Sequence, residues 1–138
     1  MKAQFLSVLV LCSVVVATLA AQNPMRPGSW EVTTQIEMAA MPVKMPPIKA
    51  TQCVTPAQLK DPASALPSAA PNCKVSDYKT SGNTVSWKMA CSAPQNMTGS
   101  GEMTFVGDTY NGTIKANTTQ GEMTIKTSGK RLGDCTTP

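Results

Sequence analysis

Histidine is absent from all 138 residues of this chain. Without an imidazole there is no serine–histidine–acid or cysteine–histidine nucleophile system, and no histidine-ligated zinc or iron. Aromatic residues make up only 4% of the sequence and charged residues 14%. A nucleic-acid surface needs a basic stripe, often interleaved with rings that stack on bases. The 12 cations are scattered over strands and turns and offer neither, so no nucleic-acid partner is expected. Long apolar runs are also missing. The longest, from Phe5 to Val16, is too short to cross a bilayer as a helix, and the chain is not expected to span a membrane.

That run has a different meaning. Lys2 precedes it and the small residues Thr18, Ala20 and Ala21 follow, which is the three-part layout of a secretory signal. Residues 1–21 are expected to be removed, with cleavage after Ala20 or Ala21, leaving 22–138 as one domain in the periplasm or outside the cell. Cys12 lies inside the apolar run behind Leu11, which does not fit a lipid-modified cysteine. Loss of Lys2 leaves 11 cations against 8 anions, a modest net charge that serves solubility.

Four cysteines survive processing: Cys53, Cys73, Cys91 and Cys135. An even number in an exported chain implies two disulfides, and four cysteines allow three pairings. The segment CKVSDYKTSGNTVSWKMAC has its midpoint at Gly82, inside the turn signal SGN. Folded there as a hairpin, it sets Cys73 opposite Cys91, within disulfide reach. A two-residue turn at Gly82-Asn83 shifts that register by one unless a bulge restores it. The symmetry favours Cys73–Cys91, and Cys53–Cys135 follows by elimination. No close cysteine pair suggests redox catalysis.

Alternation with period two recurs along the domain. Between Trp30 and Met38, one face collects Trp30, Val32, Ile36 and Met38, and the other collects Glu31, Thr33, Gln35 and Glu37. Ile48 to Val54 is the expected partner strand. Thr55 before Pro56 marks the start of a short helix, and DPASALPSAAPN is a proline-rich loop or strap. Val85, Trp87, Met89 and Cys91 share a face of the second hairpin arm; across from them Val75 suits Met89, while Asp77 opposite Trp87 suits a core poorly. Later, Gly107-Asp108 as a two-residue loop pairs Phe105 with Tyr110 and Met103 with Gly112. Ile114, Ala116, Met123 and Ile125 extend the same apolar face. The expected fold is all-β and mainly antiparallel. It is an up-and-down meander of about seven strands, forming an open curved sheet or partly closed barrel, with one short helix and a Pro-rich loop.

The residues left for chemistry are few. Glu31, Glu37, Glu102 and Glu122 fall on solvent faces, Asp61 lies in the strap, and Asp108 and Asp134 follow turn glycines. Asp77 alone is oddly placed, and a hairpin-end pairing with Lys79 or Lys88 explains it better than acid–base catalysis around it. Asn96, Asn111 and Asn117 each begin an Asn-x-Thr triplet, read as turn and strand-edge chemistry. Lys130-Arg131 is read as a solvated strand end. The stretch MAAMPVKMPP carries Met38, Met41 and Met45. Thioethers are soft donors suited to Cu(I), and unlike thiols they do not cross-link in an oxidising compartment. Lys44 within the loop argues against a cation, and methionine also serves as apolar filler.

The segments MRPGSWEVTTQIEM, TQCVT, CKVSDYKTSGNTVSWKMAC and SGKRLGDC resemble a bacterial family of exported proteins, domain of unknown function 3617. The resemblance covers nearly all of the mature chain. It implies an envelope or periplasmic location, and it carries no activity and no catalytic residues. The sequence therefore leads us to expect a non-enzymatic binding or interaction module without a cofactor. Its apolar concave face, or the loop from Met38 to Pro47, would hold an envelope protein or a small apolar ligand. The alternative is a Cu(I)-binding protein using Met38, Met41 and Met45, and a third reading is a carboxylate-dependent hydrolase around Asp77.

Overall fold

The structure, a computed structural model, describes residues 24–41, 45–61, 66 and 71–136. The signal pattern in 1–21, Lys44, and all of the strap from 62 to 70 except Leu66 lie outside the described residues. The chain forms β1 (Gly28–Met38), β2 (Ile48–Val54), α1 (Pro56–Lys60), β3 (Cys73–Ser81), β4 (Thr84–Cys91), β5 (Met97–Val106), β6 (Thr109–Thr118) and β7 (Gly121–Gly133). All seven strands lie in one antiparallel sheet in the order β2-β1-β7-β6-β5-β4-β3. This is an up-and-down ring opened at one place. Every sequence neighbour is hydrogen-bonded except β2 and β3, and β1 pairs with β7 instead. The break coincides with the helix and the proline-rich strap, whose prolines cannot donate to a ladder.

Local chemistry sets each connection. Thr55 caps α1 with a reciprocal box: its hydroxyl accepts from the Gln58 amide at 3.3 Å, and Gln58 Oε1 accepts from the Thr55 amide at 2.8 Å. The β3–β4 turn places Gly82 at φ 59°, the left-handed region where glycine carries no steric penalty. Its two-residue loop pairs Ser81 with Thr84, which alone would set Cys73 off register from Cys91. A bulge between Ser76 and Lys79 restores the match, with Asp77 at φ 52°. Both expectations about this hairpin therefore hold together, and the extra residue explains why Asp77 does not face Trp87. Phe105 pairs with Tyr110 and Met103 with Gly112.

The core lies on one face of the sheet. Trp30, Val54, Val85, Trp87, Met89, Met103, Phe105, Tyr110, Ile114 and Ala116 form its cluster, with Leu59 of α1 and Leu66 of the strap packed against it. Tyr110 lies between Trp30 and Phe105, with ring centroids 5.6 and 5.5 Å away. Thr127 is buried on the same face, and among the described residues its hydroxyl has no partner at hydrogen-bonding distance. Burial raises the pKa of the Tyr110 phenol on the same face. An unsatisfied buried hydroxyl costs on the order of 1–3 kcal/mol, so Thr127→Val is expected to raise stability by about 1 kcal/mol in urea unfolding. A loss instead would mean that the Tyr110 phenol depends on Thr127.

Candidate functional site

Two disulfides close the domain. Cys73 and Cys91 are direct partners across β3 and β4, with Cα atoms 3.9 Å apart. Cys53 joins Cys135 at a Cα separation of 5.5 Å. Cys53 pairs with Ser29, which pairs in turn with Gly133 on its other side, so the second bridge reaches over the start of β1 to fasten edge strand β2 to the chain's end.

The polar face carries the open clefts. One, of about 460 Å³, spans β1, β7, β6 and β5 and is lined by Thr33, Gln35, Asn111, Thr113, Lys126 and Glu102 among others. A second, of about 510 Å³, continues towards β3 past Glu102, Lys115, Lys88 and Asp77. Among the described residues, no apolar hollow is lined over the centre of the sheet. There the apolar face is filled by its own side chains, with Trp30, Trp87 and Ile114 almost wholly enclosed.

Asp77 sits at the edge of the second cleft, more than half exposed, with its carboxylate 2.9 Å from Lys88 Nζ. A hydrogen bond from Lys88, and then its charge, hold the Asp77 carboxyl below the usual carboxylate range and raise Lys88 in return. A carboxylate held ionised by an exposed lysine is a poor general acid. Asp77→Asn is expected to leave any activity of the protein intact. Among the described residues, no group of three or more His, Cys, Asp or Glu side chains is placed to hold a metal ion.

Exposed apolar surface gathers elsewhere, at the β1–β2 end of the sheet. Among the described residues the exposed large hydrophobics are Met41, Met45, Ile48, Val106 and Leu132. Three of these five belong to the β1–β2 connection and its exit, and the half-buried Ile36 and Met38 adjoin them on β1. Of the three methionines, Met41 and Met45 are exposed, while Met38 is the half-buried last residue of β1. The structure adds a residue that the sequence reading assigned only to the core. Met123 on β7 is the direct ladder partner of Met38, so the two share a face. The Ala39 amide donates to the Glu122 carbonyl at 3.0 Å and the Met41 amide to the Met38 carbonyl at 3.1 Å, which folds the loop's start back over β7.

The basic pair at the other end departs from expectation. Lys130 is exposed, but Arg131 is mostly covered and donates to the Pro27 carbonyl at 2.8 Å and to Asp134 at 2.7 Å. Arg26 pairs with Asp108 nearby, and Trp30 Nε1 donates to the Arg26 carbonyl at 3.0 Å. These bonds fasten residues 26–30 onto the β6–β7 end, a positioning role rather than a solvated one. Asn96 takes a φ of 40° in the β4–β5 connection, as a turn residue does, whereas Asn111 and Asn117 are exposed on β6, an interior strand paired on both sides.

The fold and the cysteines define a class: a disulfide-stapled antiparallel β-sheet protein with one packed face and one polar face. Residues 25–135 match the family described as Protein of unknown function (DUF3617), and the chain belongs to that family. No curated protein and no solved structure matches the chain. Two disulfides fit an oxidising, exported location, and among the described residues no helix is long and apolar enough to cross a membrane.

Proposed function

We propose that the protein is a non-enzymatic binding module of the periplasm or extracellular space, and that its binding surface is the apolar end formed by Met38, Met41, Met45 and Ile48. One observation carries this reading. A hairpin connection and its exit carry three exposed large apolar residues within eight positions of sequence, although Met89 and Met103 show that the same sheet buries methionine to 3% exposure where it can. Contiguous exposed apolar surface on a soluble domain marks a contact site more often than scattered single residues do. The absence of histidine and the ordinary environment of Asp77 favour holding over transforming. The paired cysteines and the N-terminal pattern of charge, apolar run and small residues favour export.

Native mass spectrometry of the protein purified from an exporting host tests the idea. A bound species is expected on the unaltered protein and lost from the folded double variant Met41→Ser with Ile48→Ser. Identical occupancy in both, or none in either, would count against this surface.

A further inference from the structure

We propose that the same apolar end is a site for a soft monovalent cation, Cu(I) or its analogue Ag(I), with Met38 and Met123 as its base and Met41 and Met45 as additional thioether ligands. The inference rests on the reading of this end as the binding surface and names the chemistry of its ligand.

The placement comes from the ladder. Met38 and Met123 stand opposite each other in the β1–β7 pairing and on the same face. Directly opposed residues hold their Cβ atoms about 5 Å apart, a span that two flexible thioether arms can close around one ion. The turn that follows is tied back to the same place by the Ala39–Glu122 and Met41–Met38 backbone bonds. Met45 lies on the return path three residues before Ile48, which pairs with Thr34 on β1. Four sulfurs from a strand pair and its adjoining loop are thereby brought to one end of the sheet.

Core packing accounts for Met123 alone in this group. Met89 and Met103 are buried filler at 3% exposure, whereas Met41 and Met45 are 49% and 37% exposed. Met38 is half-buried but does not belong to the residues packed against the core, and only Met123 touches that cluster. Leucine would serve an apolar contact equally well, so the element that sets this end apart is sulfur.

The other donors narrow the choice of ion. All four described cysteines are in disulfides and histidine is absent, which leaves thioethers as the soft donors. Neutral thioethers suit large, polarisable monovalent ions, while divalent cations such as Mg²⁺ or Ca²⁺ need oxygen ligands and charge compensation. The carboxylates next in sequence, Glu37 and Glu122, alternate to the opposite face, and Glu37 is taken by Lys126 at 2.8 Å. Binding is a ligand exchange at the metal, with no electron transferred and no proton released, because a thioether carries none.

The test uses the folded, oxidised protein labelled at the methionine methyl carbons and titrated with Ag(I), which is stable in air. The ε-methyl signals of Met38 and Met123, and of at least one of Met41 and Met45, are expected to move with the first equivalent, while those of Met89 and Met103 stay. Met123→Leu, close in volume and so expected to fold, should weaken Ag(I) binding on the order of tenfold or more, and the same loss should appear for Cu(I) in competition with a chelator under anaerobic conditions. Unmoved Met38 and Met123 methyls, or unchanged affinity in Met123→Leu, would overturn the assignment. If silver leaves these methyls unmoved while another species co-purifies at Met41 and Ile48, the metal assignment fails and the binding surface stands. If neither binds, both fail.

Discussion

Replacing both members of the long-range bridge, Cys53→Ser with Cys135→Ser, is expected to lower the unfolding free energy by about 4.5 kcal/mol in the chain-entropy picture. The bridge spans a sequence separation of 82, so cutting it frees most of the domain in the unfolded state. The same operation on Cys73 and Cys91, separated by 18, should lower it by about 3 kcal/mol. Native contacts reinforce the ranking. Cys73 and Cys91 lie on strands already joined by a ladder and a two-residue turn, whereas β2 and the segment after β7, which the long bridge ties together, share no ladder. Either loss is large beside the net stability of a small domain, roughly 5–15 kcal/mol. Urea unfolding followed by the fluorescence of the buried Trp30 and Trp87 would measure both variants. A steeper denaturant dependence is also expected without the long bridge, because the unfolded chain then exposes more surface. Equal losses from the two bridges would show that ordering of the unfolded chain is not what these disulfides contribute.

What could be read from the residues beforehand follows the range of the interactions. Strand faces, the capped helix at Thr55 and the Phe105–Tyr110 register depend on neighbours a few positions away, and the structure has them as the pattern implies. The Cys73–Cys91 pairing was legible because the turn and the bulge both lie within one hairpin. The β1–β7 pairing was not. It joins residues about ninety positions apart, and nothing in the alternation of either strand names its partner. Met123 therefore looked like one more core residue, and its place opposite Met38 emerges only from the strand order of the sheet. Arg131 failed for a related reason: its partner Pro27 lies 104 positions away in sequence, which no local pattern can bring together. The polar clefts were hidden too, because hydroxyls and amides on a solvent face look alike whether the sheet bends towards them or away. At the methionine end the alternation of β1 was visible, and the residues it leaves uncovered were not, since exposure is decided by what the rest of the chain packs over.

Gly129→Ala is expected to destabilise the protein by about 3 kcal/mol, near the top of the usual range for overpacking. The reason is steric. A Cβ at this position would lie 2.0 Å from Tyr110 Cε1 and 2.5 Å from Cζ, because the tyrosine ring rests directly on the glycine backbone. Tyr110 cannot step aside cheaply, with Trp30 on one side and Phe105 on the other. These rings join the two parts of the sheet, since Trp30 belongs to β1 and Tyr110 to β6 while Gly129 on β7 runs beneath the contact. The added methyl would therefore press on a ring contact that packs the N-terminal hairpin against the meander. A double-mutant cycle isolates this cause. With Tyr110→Leu already present, Gly129→Ala should cost under about 1 kcal/mol, giving a coupling of about 2 kcal/mol between the two positions. Gly101 offers a parallel, with Trp87 Cζ2 2.3 Å from its would-be Cβ. Full additivity of the Tyr110 and Gly129 changes would show that the glycine is required for its backbone and not as a seat for the ring.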